Sequence, residues 1–522
     1  MYNLLKGVIV RRAESNSKFV LYMFMVLLVV IVSVIVRVYD IDKPAIWSDE
    51  AFTLVLSALS PREIIFHTVR DVHPPFYYLV LHVWMEAFGN GVFAARSLSA
   101  LAGVVSVLLG IWLASLIGSR RAALLGGLLL ALLPMGVRYS QEVRMYAFFG
   151  MLMVGAAIAF LYWSRNVNNI KALAVFSVLM LFGFYTHYFA GVCLVSFWVY
   201  LLFRYLGGED NCLRSPSWWV ANFSVALLYI PWLPNLLNQM EYSGFQWIVR
   251  PDVYTVFSTV WEFISYSDGR QLWAWVYFGV PLALFVLSLG LGVRGKIKWE
   301  GGLYLFVYTW LPLLVVVMIS LVRPLFVDRY FLFAALGLPL IMGVVIDDLW
   351  SKRKVYCSVL LVAILLFELS GLYGVYQKGH AVYEEVNRSD VMMGYVNSHA
   401  LKGDDVLVLN MHLYFPVYYY NRTEIVPRFF TPPAQDGSST RPEGYQIWTL
   451  IQNNAEEIYT DSLSDLAPVS RRAWLLTDQG SEPHFPDCWR LLDVFKAGDS
   501  FARLYEIHAD QQVVGAPFHP GK

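Results

Sequence analysis

FVLYMFMVLLVVIVSVIV, residues 19–36, carries no charged side chain, and a short interval later comes Trp47-Ser48-Asp49-Glu50-Ala51-Phe52. A helix rises about 1.5 Å per residue, so an uncharged run of this length is close to the ~20 residues that cross a hydrocarbon core. Reading it as a membrane span decides the rest, because two adjacent carboxylates then stand where the chain leaves the membrane. Lys6, Arg11, Arg12 and Lys18 precede the run and place the N-terminus in the cytoplasm, since basic flanks stay inside. No small-residue cleavage site follows and many apolar runs come after, so an uncleaved first helix is expected rather than a signal peptide.

Composition agrees with a membrane protein. The 522 residues are 57% hydrophobic and 15% charged, whereas a soluble chain of this length needs a more charged surface. Eighteen Trp and thirty-two Tyr supply rings of the kind that collect at membrane interfaces. A formal net charge of zero implies no polyanionic partner and gives no support to nucleic-acid binding. Cys193, Cys212, Cys357 and Cys488 are far apart, in neither a metal spacing nor a disulfide framework.

Apolar runs recur at 19–36, 75–89, 95–117, 122–137, 146–163, 170–186, 188–205, 218–237, 273–291, 302–322, 329–349 and 354–376. Basic connections at Arg120-Arg121, Arg165 to Lys171, Arg294 to Lys298 and Lys352-Arg353-Lys354 read as cytoplasmic. Alternation then puts 138–146, 186–188, 238–272, 323–328 and everything after 376 outside. Parity allows only an odd number of crossings between Asp49 and Arg120, so 75–89, which follows His73-Pro74 and is short, is expected to be juxtamembrane or re-entrant. The expected architecture is a polytopic all-α membrane protein with about eleven to thirteen transmembrane helices, eleven on the parity argument, and a C-terminal soluble α/β domain. The transmembrane domain spans 1–376 with a first outer loop at 38–74, and the soluble domain spans 377–522.

In the soluble part, 405–409 and 473–477 read as strands, and 411–420 as a helix or a second strand. A polar helix is expected near 454–465, and 431–444, rich in Pro, Gly, Ser and Thr, as a loop. Trp489 leads into 490–495, which with 501–507 suggests a closing hairpin around Gly498. There is no GxGxxG and no GxxxxGK[ST], so no nucleotide fingerprint is present.

Several polar groups interrupt the apolar pattern on the expected outer side. Asp49 and Glu50 suit a general base and a companion that orients substrate or ion; a helix N-terminus capped by Ser48 or Asp49 is the plainer reading. His67, Arg70, Asp71 and His73 follow in one short interval. A divalent ion held among Asp49, Glu50, His67, His73 and Glu142 is a candidate cofactor, although the spacing matches no compact metal motif. His73, its backbone direction set by the following prolines, suits a hydrogen bond to substrate. Tyr139-Ser140-Gln141-Glu142-Val143-Arg144-Met145-Tyr146 puts an acid and arginines between two apolar runs, where charges are functional candidates by default; an Arg138–Glu142–Arg144 network closing the loop is the alternative. Tyr185-Thr186-His187-Tyr188 is consistent with binding a sugar hydroxyl or with anchoring helix ends. Trp247, Arg250, Asp252, Trp261, Glu262, Tyr266, Asp268 and Arg270 suit either sugar stacking or an interfacial amphipathic helix. In Arg323-Pro324-Leu325-Phe326-Val327-Asp328-Arg329-Tyr330, arginine suits bidentate capture of a lipid phosphate, with Arg329, at the mouth of the span, favoured over Arg323.

Taken together, Asp49-Glu50, His73-Pro74-Pro75, Ser140-Gln141-Glu142-Val143-Arg144-Met145-Tyr146 and Asp328-Arg329-Tyr330 resemble the GT-C membrane glycosyltransferases. The branch is that of protein O-mannosyltransferases, lipid A aminoarabinose transferase and proteins that decorate lipopolysaccharide cores. The resemblance covers about residues 20–350 and departs at Val143, where relatives commonly have Ala. It implies an inverting transfer of a hexosyl or pentosyl group from a polyprenyl-phosphate-linked donor to a lipid, glycan or protein hydroxyl. It also implies that this happens on the outer face of a bacterial inner membrane, with the C-terminal domain periplasmic. Carried over, Asp49 is the base and Glu50 its companion. His73, Glu142, Arg144, Tyr146, His187, Arg323, Arg329 and Tyr330 are the donor-phosphate or substrate contacts. A transporter or flippase for a lipid-linked or anionic substrate is the alternative, disfavoured by the absence of an internal repeat.

Overall fold

The computed structural model describes residues 2–208, 212–241, 248–293, 300–350, 353–386, 388–434, 436–442, 444–451, 455–463, 472–478 and 489–507. The chain divides into two compact units, Met1–Ile41 with Arg96–Val375, and Asp42–Ala95 with Tyr376–Lys522.

The first unit is helical, and every apolar run outside 75–89 becomes a helix or a broken pair of helices. Among the described residues, eight helices are long and apolar enough to cross a membrane by length and composition. Ile170–Phe184 and Ala190–Leu206 are shorter apolar helices. The span candidates differ in how they bury themselves. Asp328–Trp350 has 94% of its apolar window inside the protein, whereas Ser17–Val38 has 11%. Val20, Phe223 and Val359 stand exposed on outer helices, as side chains do when the surrounding solvent is hydrocarbon.

The run at 122–137 is cut at Leu133 and Pro134 into the helices Arg120–Leu132 and Pro134–Arg138. Proline lacks the N–H that would serve the carbonyl four residues back, and a helix end leaves its last carbonyls without intrahelical donors. Arg37, buried at the end of the Tyr2–Val38 helix, supplies them. Its Nη1 donates to the Ala131 carbonyl at 2.9 Å and to Ser33 Oγ at 3.0 Å. Gln141 Nε2 then donates to the Tyr39 carbonyl at 2.9 Å and the Arg37 carbonyl at 3.3 Å. Two pieces of chain distant in sequence are thereby locked around one break.

Helix Arg120–Leu132 packs on Gly337–Trp350 through glycines that let the backbones approach, the usual device where no hydrophobic force acts between helices. A Cβ on Gly343 would lie 2.4 Å from the Gly126 nitrogen and 2.6 Å from its Cα.

The second unit contains a six-stranded sheet in the order β3-β2-β1-β4-β6-β5. Its strands are β1 Asp405–Val408, β2 Arg428–Phe430, β3 Tyr459–Thr460, β4 Arg472–Asp478, β5 Trp489–Ala497 and β6 Ser500–Ile507. β3, β2, β1 and β4 run parallel, while β6 pairs antiparallel with both β4 and β5. The hairpin expected around Gly498 is present, with that glycine at φ 60°. The ambiguous 411–420 is the helix Met411–Tyr420, and the helix expected near 454–465 is observed only over Ala455–Ile458; 464–471 lies outside the described residues. The short run at 75–89 forms Phe76–Phe88, 13 residues long, a rise of roughly 20 Å against a ~30 Å hydrocarbon core. It belongs to this unit, together with Ser48–Ser57 and Pro61–Thr68.

The glycine contact makes a paired prediction. Gly343→Ala should cost about 1–3 kcal/mol or prevent folding, because the Gly126 backbone cannot yield. Gly279→Ala, whose Cβ would meet nothing within 4 Å in the helix Ala274–Val293, should be neutral or slightly stabilising. Thermal midpoints of the two purified variants in one detergent check this; equal midpoints would refute the close approach.

Candidate functional site

Between the helices Pro134–Arg138 and Tyr146–Arg165 the chain runs irregularly, and its side chains are almost all buried. Irregular backbone at the end of a span is tolerated only where other groups satisfy it. Here Ser140 Oγ donates to the Gly136 carbonyl at 2.6 Å, and Ser99 Oγ to the Arg144 carbonyl at 3.3 Å. Glu142 receives Arg138, with Nη2 to Oε1 at 2.5 Å. Arg138 Nε in turn donates to the Tyr266 hydroxyl at 2.9 Å. Tyr266 caps its helix in the left-handed conformation at φ 52°. Burial and the Glu142 carboxylate hold the Tyr139 hydroxyl well above its usual range.

Beside this network lies a second group. Arg329 Nε donates to the Tyr146 hydroxyl at 3.0 Å, which leaves the hydroxyl proton of Tyr146 available to donate elsewhere. The Arg144 guanidinium carbon is 5.9 Å from the Tyr146 ring centre, and that of Arg329 is 5.8 Å from the Tyr330 ring centre. His187 sits 4.9 Å from the Tyr330 ring, 6.2 Å from the Tyr146 ring and 5.4 Å from Phe149, centroid to centroid. Burial, with Arg144 and Arg329 nearby, lowers its pKa to about 3, so the ring is neutral at physiological pH. Its Nδ1 accepts the Phe189 N–H at 3.2 Å, so the ring proton is on Nε2. The structure thus joins Glu142, Arg144, Tyr146, His187, Arg329 and Tyr330 in one neighbourhood of the first unit. Guanidinium, phenol and imidazole donors around buried apolar rings make an arrangement suited to an anion.

Several other sequence candidates of this unit make contacts of their own. Arg323 donates to the Met240 carbonyl. Asp252 caps the Val253–Ser265 helix in a capping box with Thr255, and Trp261 Nε1 donates to the Tyr277 carbonyl at 2.9 Å. Asp268 and Arg270 pair at 3.6 Å on the surface. Trp247 lies outside the described residues. Asp328, beside Arg329, accepts from Thr259 Oγ1.

In the second unit, Asp49 and Glu50 occupy the first turn of the helix Ser48–Ser57, where acidic groups oppose the positive helix end. Glu50 is fully buried, while Asp49 is partly exposed. That helix is held against Met411–Tyr420 by an edge contact of Phe52 with Phe415 at 6.0 Å and by the Ile46 N–H donating to Tyr420 Oη at 2.9 Å. Asp71 accepts from the Tyr78 hydroxyl at 2.8 Å and lies 3.9 Å from His73 Nδ1. His67 Nδ1 meets Thr449 Oγ1 at 3.1 Å, and burial lowers its pKa. Among the described residues, no group of three or more His, Cys, Asp or Glu side chains is gathered that could hold a metal ion. Tyr78 and Thr449, partners that fix Asp71 and His67, carried no signal in the sequence, being ordinary hydroxyls on apolar or unpatterned stretches.

The profile of the family described as dolichyl-phosphate-mannose-protein mannosyltransferase matches residues 72–234. No curated protein sequence matches the chain. Among solved structures the chain is similar to ArnT from Cupriavidus metallidurans in the apo state, at 14% identity and a TM-score of 0.58, over 94% of this chain and 98% of that one. It is similar also to ArnT from the same organism bound to undecaprenyl phosphate, at 13% identity and a TM-score of 0.60, over 92% of this chain and 97% of that one. The fold is therefore the GT-C type expected from the residue motifs.

His187 gives a check on the buried cluster. Its pKa is depressed in the fold, so the unfolded chain binds the proton first as pH falls. Stability should be full above the ordinary histidine value of about 6.5 and decline as pH drops towards 3. His187→Gln should flatten the part of that decline due to this ring. Chemical or thermal denaturation of both proteins between pH 7 and pH 4 measures the difference, and parallel curves would mean that the ring is not buried neutral.

Proposed function

We propose that this protein is an inverting glycosyltransferase that moves a hexosyl or pentosyl group from a polyprenyl-phosphate-linked donor to a hydroxyl of a cell-envelope acceptor. The proposed setting is the outer face of a bacterial inner membrane, with the N-terminus cytoplasmic and the C-terminal unit periplasmic. The observation that carries the proposal is the gathering of Arg144, Arg329 and Tyr146 around a neutral His187, a donor set suited to a lipid phosphate. The likeness in fold to ArnT, one of whose structures holds undecaprenyl phosphate, supports the same ligand class, and the profile match over 72–234 supports sugar transfer.

In this reading a carboxylate takes the proton of the acceptor hydroxyl, whose oxygen attacks the anomeric carbon from the face opposite the phosphate. The bond from that carbon to the phosphate oxygen breaks, and polyprenyl phosphate leaves. The leaving group is already a weak base, so donors that stabilise its charge replace a strong general acid. Asp49 is assigned as the base because the residue is partly exposed, and Glu50, wholly buried one residue on, is assigned to organising that helix end. His73, backed by Asp71, is assigned to a substrate contact.

Transfer of radiolabelled sugar from a polyprenyl-phosphate donor by the purified protein in lipid vesicles tests the reading. Asp49→Asn should lower kcat about 10²–10⁴-fold with little change in donor KM. Arg329→Ala should lower kcat/KM for donor about 10²–10³-fold. Equal transfer by wild type and Asp49→Asn would remove Asp49 from the base role. Movement of lipid-linked sugar between leaflets without any transfer would favour a flippase.

A further inference from the structure

The helix Val253–Ser265 has two differently occupied faces. Thr259, on one, holds Asp328, the neighbour of Arg329. Trp261 and Ile264, on the other, line a cavity of about 330 Å³ whose wall is otherwise formed by aliphatic and aromatic groups such as Leu133, Pro339, Ile364 and Phe367. One charged group reaches this cavity, Glu368 of the Lys354–Val386 helix. It is 5% exposed, and its Oε2 meets no hydrogen-bond partner among the described residues. The other polar groups at the cavity are already engaged: Trp261 Nε1 with the Tyr277 carbonyl, and the Trp261 carbonyl with Ser265 Oγ.

A carboxyl oxygen buried in apolar surroundings without a partner is strongly disfavoured, and inside a membrane domain such a group marks a binding or transport task. The wall asks for hydrocarbon, and the carboxyl asks for one donor. We propose that this cavity binds an apolar chain bearing a single hydroxyl or amino head group, which donates to Glu368. The site is separate from the arginine and histidine cluster and stands whether or not the proposed sugar transfer is correct. The helix Val253–Ser265 lies between the two, so the bound chain rests against the helix that holds Asp328.

The test uses the full-length protein in lipid nanodiscs and a photoreactive decanol analogue as probe, with labelled positions mapped by peptide mass. Labelling is expected within 261–264 or 363–368, and 1-decanol and 1-decylamine should each compete at concentrations about tenfold lower than decane. Glu368→Leu should keep competition by decane and lose the preference for the two head groups, whereas Glu368→Gln should keep the preference for decanol. If Glu368→Leu does not fold, the comparison of decane with decanol on wild type and on Glu368→Gln decides alone. Labelling elsewhere, decane competing as well as decanol on wild type, or a preference that survives in Glu368→Leu would each overturn the proposal.

Discussion

A helix broken in the middle of a membrane domain must find donors for the carbonyls it releases, and in the first unit that demand falls on Arg37. The break at Leu133 and Pro134 turns the chain into the segment that bears Glu142 and Arg144. Without a donor at the Ala131 carbonyl the turn would leave peptide groups unsatisfied in surroundings with little water, which costs several kcal/mol per group. Arginine is the side chain that can do this from another helix, because its fork presents several donors at once and stays charged at any depth. The same residue's own carbonyl then accepts from Gln141, so the first helix and the irregular segment position each other. The course of the chain towards Arg144 and Tyr146 begins at this one satisfied break.

The coarse architecture was open to reading because hydrophobicity is local. An apolar run of about 20 residues has one stable state in a bilayer, so the apolar runs of the first unit announced themselves as helical without reference to one another. Parity of the basic loops was enough to single out 75–89, whose helix of 13 residues stands in the second unit. In the sheet, the strands β1, β4 and the hairpin of β5 and β6 were visible as short β-branched and aromatic runs. β2 and β3, three and two residues long, were too short to carry a period. The partners of the polar groups were invisible for a different reason. Arg37 meets Ala131, Arg138 meets Tyr266 and Arg329 meets Tyr146 across 94, 128 and 183 residues of sequence. No local pattern encodes which tyrosine a given arginine will find. For the Arg138–Glu142–Arg144 group, a functional and a loop-closing reading stood side by side. The contacts divide by residue: Arg138 pairs with Glu142 and reaches Tyr266, while the Arg144 guanidinium lies near the Tyr146 ring and close enough to His187 to lower its pKa.

That division matters for charge. Arg138 pairs with Glu142, while Arg144 and Arg329 bring two further guanidinium groups to the ring cluster. A sugar linked to a lipid through a phosphodiester carries one negative charge, which such groups attract. Under the proposed transfer, breaking the sugar–phosphate bond turns the diester into a monoester, and a second negative charge develops on the oxygen that leaves. The neutral donors, His187 through Nε2–H and Tyr146 through its hydroxyl, are then the groups able to strengthen their bonds as that charge grows. A histidine kept uncharged serves this end better than an imidazolium would. A further fixed positive charge would hold the diester and the monoester alike, and tight binding of the spent lipid phosphate would slow its release. Donors that carry no net charge respond to the developing oxygen charge while adding little to the affinity for the ground state, which is the difference on which catalysis depends.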